Sequence, residues 1–143
     1  GSPTKMPAKT DVVNYGKYIV NAAACKECHT QFDKGKFIPG TEFAGGRIFP
    51  FPDGSKVVSG NISPDAATGI GQWSEAQFIS MFRSRSDSLT LAKKLNPGEF
   101  NTIMPWTMYG GMEEQDLKAI YAYLKTVTPV ANKVEKFIAA SSK

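Results

Sequence analysis

The segment Cys25-Lys26-Glu27-Cys28-His29 constrains this chain more than any other. Its two cysteines stand three positions apart on one helical turn, and a histidine follows the second directly. The chain has no other cysteine and no other histidine. A structural zinc ion needs about four ligands, more than this segment supplies, and its three candidates are too close in sequence to enclose one ion. A thioredoxin-like redox pair follows a strand and opens a helix in a βαβ setting, whereas this pair follows a helix-like run. A plain disulfide gives His29 no purpose. The reading that uses all three residues is the C-x-x-C-H attachment sequence for one c-type haem. The thiolates of Cys25 and Cys28 add to the two vinyl groups of the porphyrin, and His29 stands under the iron as an axial ligand.

Hydrophobic periodicity predicts three amphipathic helices. The first runs from about Asp11 to Ala24, with Thr10 or Asp11 as N-cap candidates. Val12, Tyr15, Gly16, Ile19, Val20 and Ala23 recur on its apolar face. Gly16 in mid-helix costs about 1 kcal/mol relative to alanine, which points to a close packing partner. The second helix begins at Ser74, where Ser74 and Gln77 form a capping box, carries Phe78, Ile79 and Phe82 inward, and fades near Arg83 to Arg85. The third runs from about Glu113 to Thr126 on a stripe of Leu117, Ile120, Tyr121 and Leu124. Glu113 and Glu114 suit its N-terminal dipole, and Pro129 forbids continuation.

Residues 30–72 and 86–111 are long and turn-rich, with Pro39-Gly40, Gly45-Gly46, Pro52-Asp53-Gly54 and Gly69-Ile70-Gly71 as punctuation. Loops of this length in a compact domain wrap something or are disordered, and a haem supplies the apolar surface they lack. Lys56-Val57-Val58 is a candidate short strand beside the Asp53-Gly54 turn. Residues 131–140 are expected to add a short terminal helix.

The 143 residues fit one domain over 11–143, preceded by a flexible leader over 1–10 in which Gly1-Ser2 has the look of a cloning remnant. No apolar run approaches the ~20 residues needed to cross a bilayer, so the chain is read as soluble. Covalent haem attachment in bacteria takes place on the outer side of the cytoplasmic membrane. The expected location is therefore the periplasm or that outer face, with a signal or anchor removed from the expressed form. The formal charge of +4 is too modest and too scattered for a nucleic-acid partner.

With His29 committed, a second histidine cannot serve as the other axial ligand. Of the five methionines, Met6 lies in the leader and Met81 in a helix with its own core face. Met104, Met108 and Met112 cluster in nine residues beside Pro105 and Trp106. A soft thioether suits low-spin haem iron, while most methionines are plain fillers of loop or core. Pro105 fixes the backbone after Met104, a useful property in a loop that must hold a sulfur in place.

The order of a glycine-bearing helix, C-x-x-C-H, an Asn-containing loop ending in Gly-Ile-Gly-x-Trp, an M-P-W segment and a D-L-x-x-I-x-x-Y-L helix resembles class I c-type cytochromes over roughly Asp11 to Val130. Asn61-Ile62-Ser63-Pro64-Asp65 with Thr68-Gly69-Ile70-Gly71-Gln72-Trp73 is similar to bacterial cytochrome c domains that serve membrane-bound dehydrogenases. The resemblance implies an all-α cytochrome c fold of three to five helices with long loops around one covalent haem c. It implies Met104 as distal ligand, Trp73 as the indole donor to a haem propionate, and Pro39 as the residue whose carbonyl accepts from the proximal imidazole. Gly16 and Tyr121 match the crossing of the first and last helices. The Phe49 to Ser59 stretch departs from minimal members of the family.

Arg47, Arg83 and Arg85 are candidates to pair with propionates, though solvated surface positions are the ordinary role of such residues. Lys26, Lys34, Lys36 and Lys93-Lys94 flank the attachment and methionine segments; they steer an acidic redox partner or serve as solubilising charge. The expected function is electron transfer by a monomeric single-haem carrier cycling between Fe(II) and Fe(III). Its expected partners are redox proteins such as a dehydrogenase or a membrane respiratory complex, with no catalysis of its own. The competing class is a haem module with an open or labile sixth position, acting as a peroxidase-like enzyme or gas sensor. Against it stand the single haem and the lack of a distal histidine for acid/base work.

Overall fold

The computed structural model describes residues 5–85, 109 and 112–140. Among these, four helices and five short strands follow one another as α1 (Val12–Ala22), α2 (Cys25–Cys28), β1 (Phe32–Asp33), β2 (Lys36–Phe37), β3 (Ile48–Pro50), β4 (Lys56–Val58), α3 (Glu75–Arg85), α4 (Glu114–Leu124) and β5 (Phe137–Ile138).

α1 and α4 cross and form the backbone of the core. The expected stripes drive this: Tyr15, Ile19 and Val20 of α1 and Leu117, Ile120 and Leu124 of α4 are buried together. Val12, assigned to the inner face from periodicity, is exposed because it sits at the first turn, beyond the crossing. Gly16 lies at the contact itself, where an added Cβ would collide with the Ala119 carbonyl and reach within 3.0 Å of the Tyr123 Cβ. Ala119 and Tyr123, rather than Tyr121, therefore meet Gly16. Tyr121 turns toward α3: its ring lies 5.5 Å from that of Phe78, and its hydroxyl donates to the Trp73 carbonyl at 2.7 Å.

The capping box that opens α3 forms as read. Ser74 N–H donates to Gln77 Oε1 at 2.9 Å, and Gln77 N–H donates to Ser74 Oγ at 3.1 Å. Asp11 precedes α1 without capping it through its side chain; its carboxylate accepts from Asn14 Nδ2 instead.

The all-α expectation fails in the loops. β1 and β2 pair as a hairpin across Lys34-Gly35, both at positive φ (49° and 81°), the pattern of a type I′ turn. β3 and β4 pair antiparallel around the Pro52-Asp53-Gly54 turn, so the divergent 49–59 stretch is a hairpin containing the strand expected at Lys56-Val57-Val58. Asp53 Oδ1 accepts from both the amide and the hydroxyl of Ser55, which holds its carboxyl below the usual carboxylate range. β5 then adds to the free edge of β4, with Val57 opposite Phe137. The terminal helix expected over 131–140 is thus replaced by a strand. The unpaired amides and carbonyls of β4 offer backbone partners that a short, weakly apolar helix could not match.

One buried side chain ties the loops together. Asn61 Nδ2 donates to Thr68 Oγ1, the Val130 carbonyl and the Asn132 carbonyl, while its Oδ1 accepts from the amide and hydroxyl of Ser63. Asp65 Oδ2 accepts from the amide and hydroxyl of Thr68 in the same turn.

Candidate haem-attachment site

The chain leaves α1 at Ala23 and passes through Ala24 in the left-handed region, φ 60°. This kink separates α1 from the short α2, which carries Cys25 and Cys28 one turn apart. Cys25 is half-buried against the main core, whereas Cys28 is exposed. Burial, chiefly, pushes the Cys25 thiol up to about 11, with the neighbouring Cys28 adding to the effect. Tyr109 closes this end of α1, its hydroxyl donating to the Ala23 carbonyl at 2.6 Å.

His29 follows α2 and is fixed at two points. Its carbonyl accepts from the Gly45 amide at 2.7 Å. Its Nδ1 lies 2.7 Å from the Gly60 carbonyl oxygen, and since a carbonyl only accepts, Nδ1 carries the proton and Nε2 has a free lone pair. Burial holds the imidazole below its ordinary pKa against the opposing effect of the Gly60 bond, and the charge of Lys136 lowers it further. The neutral tautomer with its outward nitrogen unprotonated is the form that ligates a metal.

The acceptor for His29 is therefore Gly60. Pro39, proposed for that role from family resemblance, is exposed; it sits in the turn after β2 while the segment after β4 delivers the carbonyl. The mutual approach of Gly45 and Gly60 makes this possible, because a Cβ on Gly45 would strike the backbone of Ser59 and Gly60. Neither glycine stands out as a site residue in the sequence; the available signal is the density of glycine around Gly45-Gly46 and Ser59-Gly60-Asn61.

Trp73 is half-buried at the edge of the core, where α3 begins, with its carbonyl taken by Tyr121. Met112 packs against the core. Met104, Met108, Trp106, Lys93 and Lys94 lie outside the described residues. Arg47, a candidate for a propionate, instead donates from Nη1 to the Glu27 carbonyl at 2.6 Å. Among the described residues, no three His, Cys, Asp or Glu side chains converge on a metal ion. A surface pocket of about 420 Å³, bordered by Glu42, Phe43, Tyr123 and Val127, is lined by none of the predicted site residues.

The donor set fits a covalent haem: two thiols on one turn, one buried and one open, beside an imidazole whose second nitrogen is oriented by a fixed carbonyl. The haem, when bound, supplies the one-electron Fe(II)/Fe(III) couple. The residues of this chain orient His29, seat Cys25 against the core and leave Cys28 at the surface.

Comparison with known proteins agrees with this chemistry. The cytochrome c family model matches residues 13–128. The fructose dehydrogenase cytochrome subunit of Gluconobacter japonicus is 32% identical over 129 residues, 90% of this chain and 24% of its own length. The gluconate 2-dehydrogenase cytochrome c subunit of Pantoea cypripedii is 36% identical over 125 residues, covering 87% of this chain and 25% of that protein. The cytochrome c subunit of the quinone-type alcohol dehydrogenase of Gluconacetobacter polyoxogenes is 32% identical over 127 residues, 87% of this chain and 24% of its own length. The chain thus spans about a quarter of the length of these relatives. It belongs to the cytochrome c family, and its work is electron transfer through a covalently bound haem c.

Proposed function

We propose that this chain is the electron-carrying module of a larger dehydrogenase assembly, with haem bound through Cys25 and Cys28, His29 as proximal ligand and Met104 as distal ligand. The observation that carries the reading is the 2.7 Å contact of His29 Nδ1 with the Gly60 carbonyl inside a C-x-x-C-H segment. It supports Nε2 as the iron ligand and, with it, haem attachment as the role of the two thiols on α2. The half-buried indole of Trp73 is assigned to a haem propionate. The dehydrogenase partner is inferred from the names of the similar proteins, which are cytochrome subunits of fructose and gluconate dehydrogenases. The module is assigned to the outer face of the cytoplasmic membrane, where haem attachment takes place. Among the described residues, no helix is long and apolar enough to cross a membrane.

Denaturing mass spectrometry of protein matured with haem-attachment machinery should show the chain heavier by one haem; an unmodified mass overturns the assignment. Methionine ligation is tested by the weak ferric charge-transfer band that reports a Met–iron bond. Met104→Ala should abolish it, give a high-spin or water-ligated spectrum and lower the midpoint potential. A band retained in Met104→Ala and lost in Met108→Ala moves the ligand four residues on. Rapid carbon monoxide binding by the ferrous wild type together with peroxidase turnover would favour the open-site alternative.

A further inference from the structure

Arg47 joins two segments that meet at His29. Its own backbone pairs with Ser59 in both directions: the Arg47 amide donates to Ser59 Oγ at 3.1 Å, and the Ser59 amide donates to the Arg47 carbonyl at 3.0 Å. Ser59 directly precedes Gly60, the acceptor for the His29 imidazole. The Arg47 guanidinium reaches the other way, donating to the Glu27 carbonyl at 2.6 Å. That carbonyl lies at the C-terminal end of α2, where a four-residue helix leaves its last acceptors without internal partners. The guanidinium is itself held in place, 4.5 Å from the Phe32 ring centre, 5.3 Å from Phe49 and 5.8 Å from Phe37. Stacking of a planar cation on several aromatic rings is favourable and removes much of its rotamer freedom.

We propose that Arg47 is a positioning residue for the proximal hydrogen bond: its main chain fixes the segment bearing the Gly60 carbonyl, and its ring-clamped guanidinium fixes the α2 turn bearing His29. The inference rests on His29 as the proximal ligand. It gives the β1–β2 and β3–β4 hairpins a shared role, since Phe32, Phe37 and Phe49 are the rings that hold the clamp. Lysine cannot replace the arginine, because an ammonium has neither the planar face nor the fork that serve rings and carbonyl together.

The test uses the haem-loaded, ferrous protein, which is diamagnetic when low-spin, and follows exchange of the His29 Nδ1–H with solvent by NMR. Backbone amides of α4 serve as a measure of global opening. Arg47→Met keeps length and apolar stem and should accelerate Nδ1–H exchange at least tenfold, with α4 amides changing much less. Arg47→Lys should behave like Arg47→Met. Equal acceleration of the α4 amides would reduce Arg47 to a general stabiliser, and rescue by lysine would make charge the cause; either result overturns the clamp. If both variants fail to fold, Phe32→Leu combined with Phe37→Leu leaves Arg47 and removes two of its rings; faster Nδ1–H exchange supports the proposal and unchanged exchange overturns it. Absence in the wild type of a haem-shifted histidine spectrum would instead strike His29 ligation, a separate failure.

Discussion

Residues that hold the site in place do so through polar groups removed from water. Asn61 shows the logic most fully: all its side-chain hydrogen-bonding capacity is used on Thr68, Ser63, Val130 and Asn132, and it is buried. Asn61→Ala would orphan several of these partners at once, each at about 1–3 kcal/mol when buried. The expected loss is on the order of 3 kcal/mol in chemical denaturation of the haem-loaded protein, and a change below about 1 kcal/mol would show the network to be dispensable. At this scale the sequence is legible where chemistry is rare. One histidine and two cysteines, all within C-x-x-C-H, leave few chemistries to choose between. Pro39 and Gly60 show the limit: a backbone carbonyl has no side-chain signature, so which loop delivers the acceptor for His29 depends on how the loops fold. Arg47 stands out in the sequence only as a propionate candidate; its contacts with three rings do not, since those rings come from strands that residue composition does not announce.

Helices and strands differ in how far they can be read. α1 and α4 follow their 3.6-residue stripes and end within about two residues of the expected limits, as helix ends commonly do, and α3 starts at Glu75, directly after its capping Ser74. β1, β2, β3 and β5 are two or three residues long, too short to show alternation, and exist because neighbouring loop backbones need partners. The α1–α4 crossing yields two predictions. Gly16→Val places a branched side chain against the Ala119 carbonyl and should destabilise by about 2 kcal/mol or more, beyond the propensity effect; a neutral result in denaturation would exclude this crossing. The second concerns pH. The Tyr15 hydroxyl donates to Asp116 Oδ1 at 2.7 Å, and this bond, with burial second, raises the phenol from 10.0 to about 12. A folded-state pKa above the unfolded one means stability that is complete below about pH 10 and is lost as pH rises toward about 12. Tyr15→Phe should therefore be less stable at neutral pH and show a flatter decline across that window; parallel wild-type and variant curves would mean that Tyr15 titrates as an ordinary tyrosine.

At the scale of the whole molecule, the surface beside the attachment segment carries exposed aromatic rings among exposed charges. Cys28 is exposed, and so are Phe32 and Phe37 of the adjoining hairpin. Lys26, Lys34 and Lys36 stand exposed around them, with Glu27 and Asp33 as the opposing charges in that segment. The formal charge of the protein part is +4, which haem propionates reduce without reversing. A basic surface beside a redox centre raises encounter rates with an acidic partner, and the gain falls as salt shortens the range of the field. The second-order rate of electron transfer with an acidic redox protein should therefore fall, by about tenfold between low and physiological ionic strength if steering is substantial. Replacing Lys26, Lys34 and Lys36 together by glutamine should flatten that dependence while leaving the absorption spectrum and midpoint potential close to those of the wild type, because the bond from His29 Nδ1 to the Gly60 carbonyl is left in place. Stopped-flow traces with equal salt slopes for the two proteins would place the encounter surface elsewhere on the molecule.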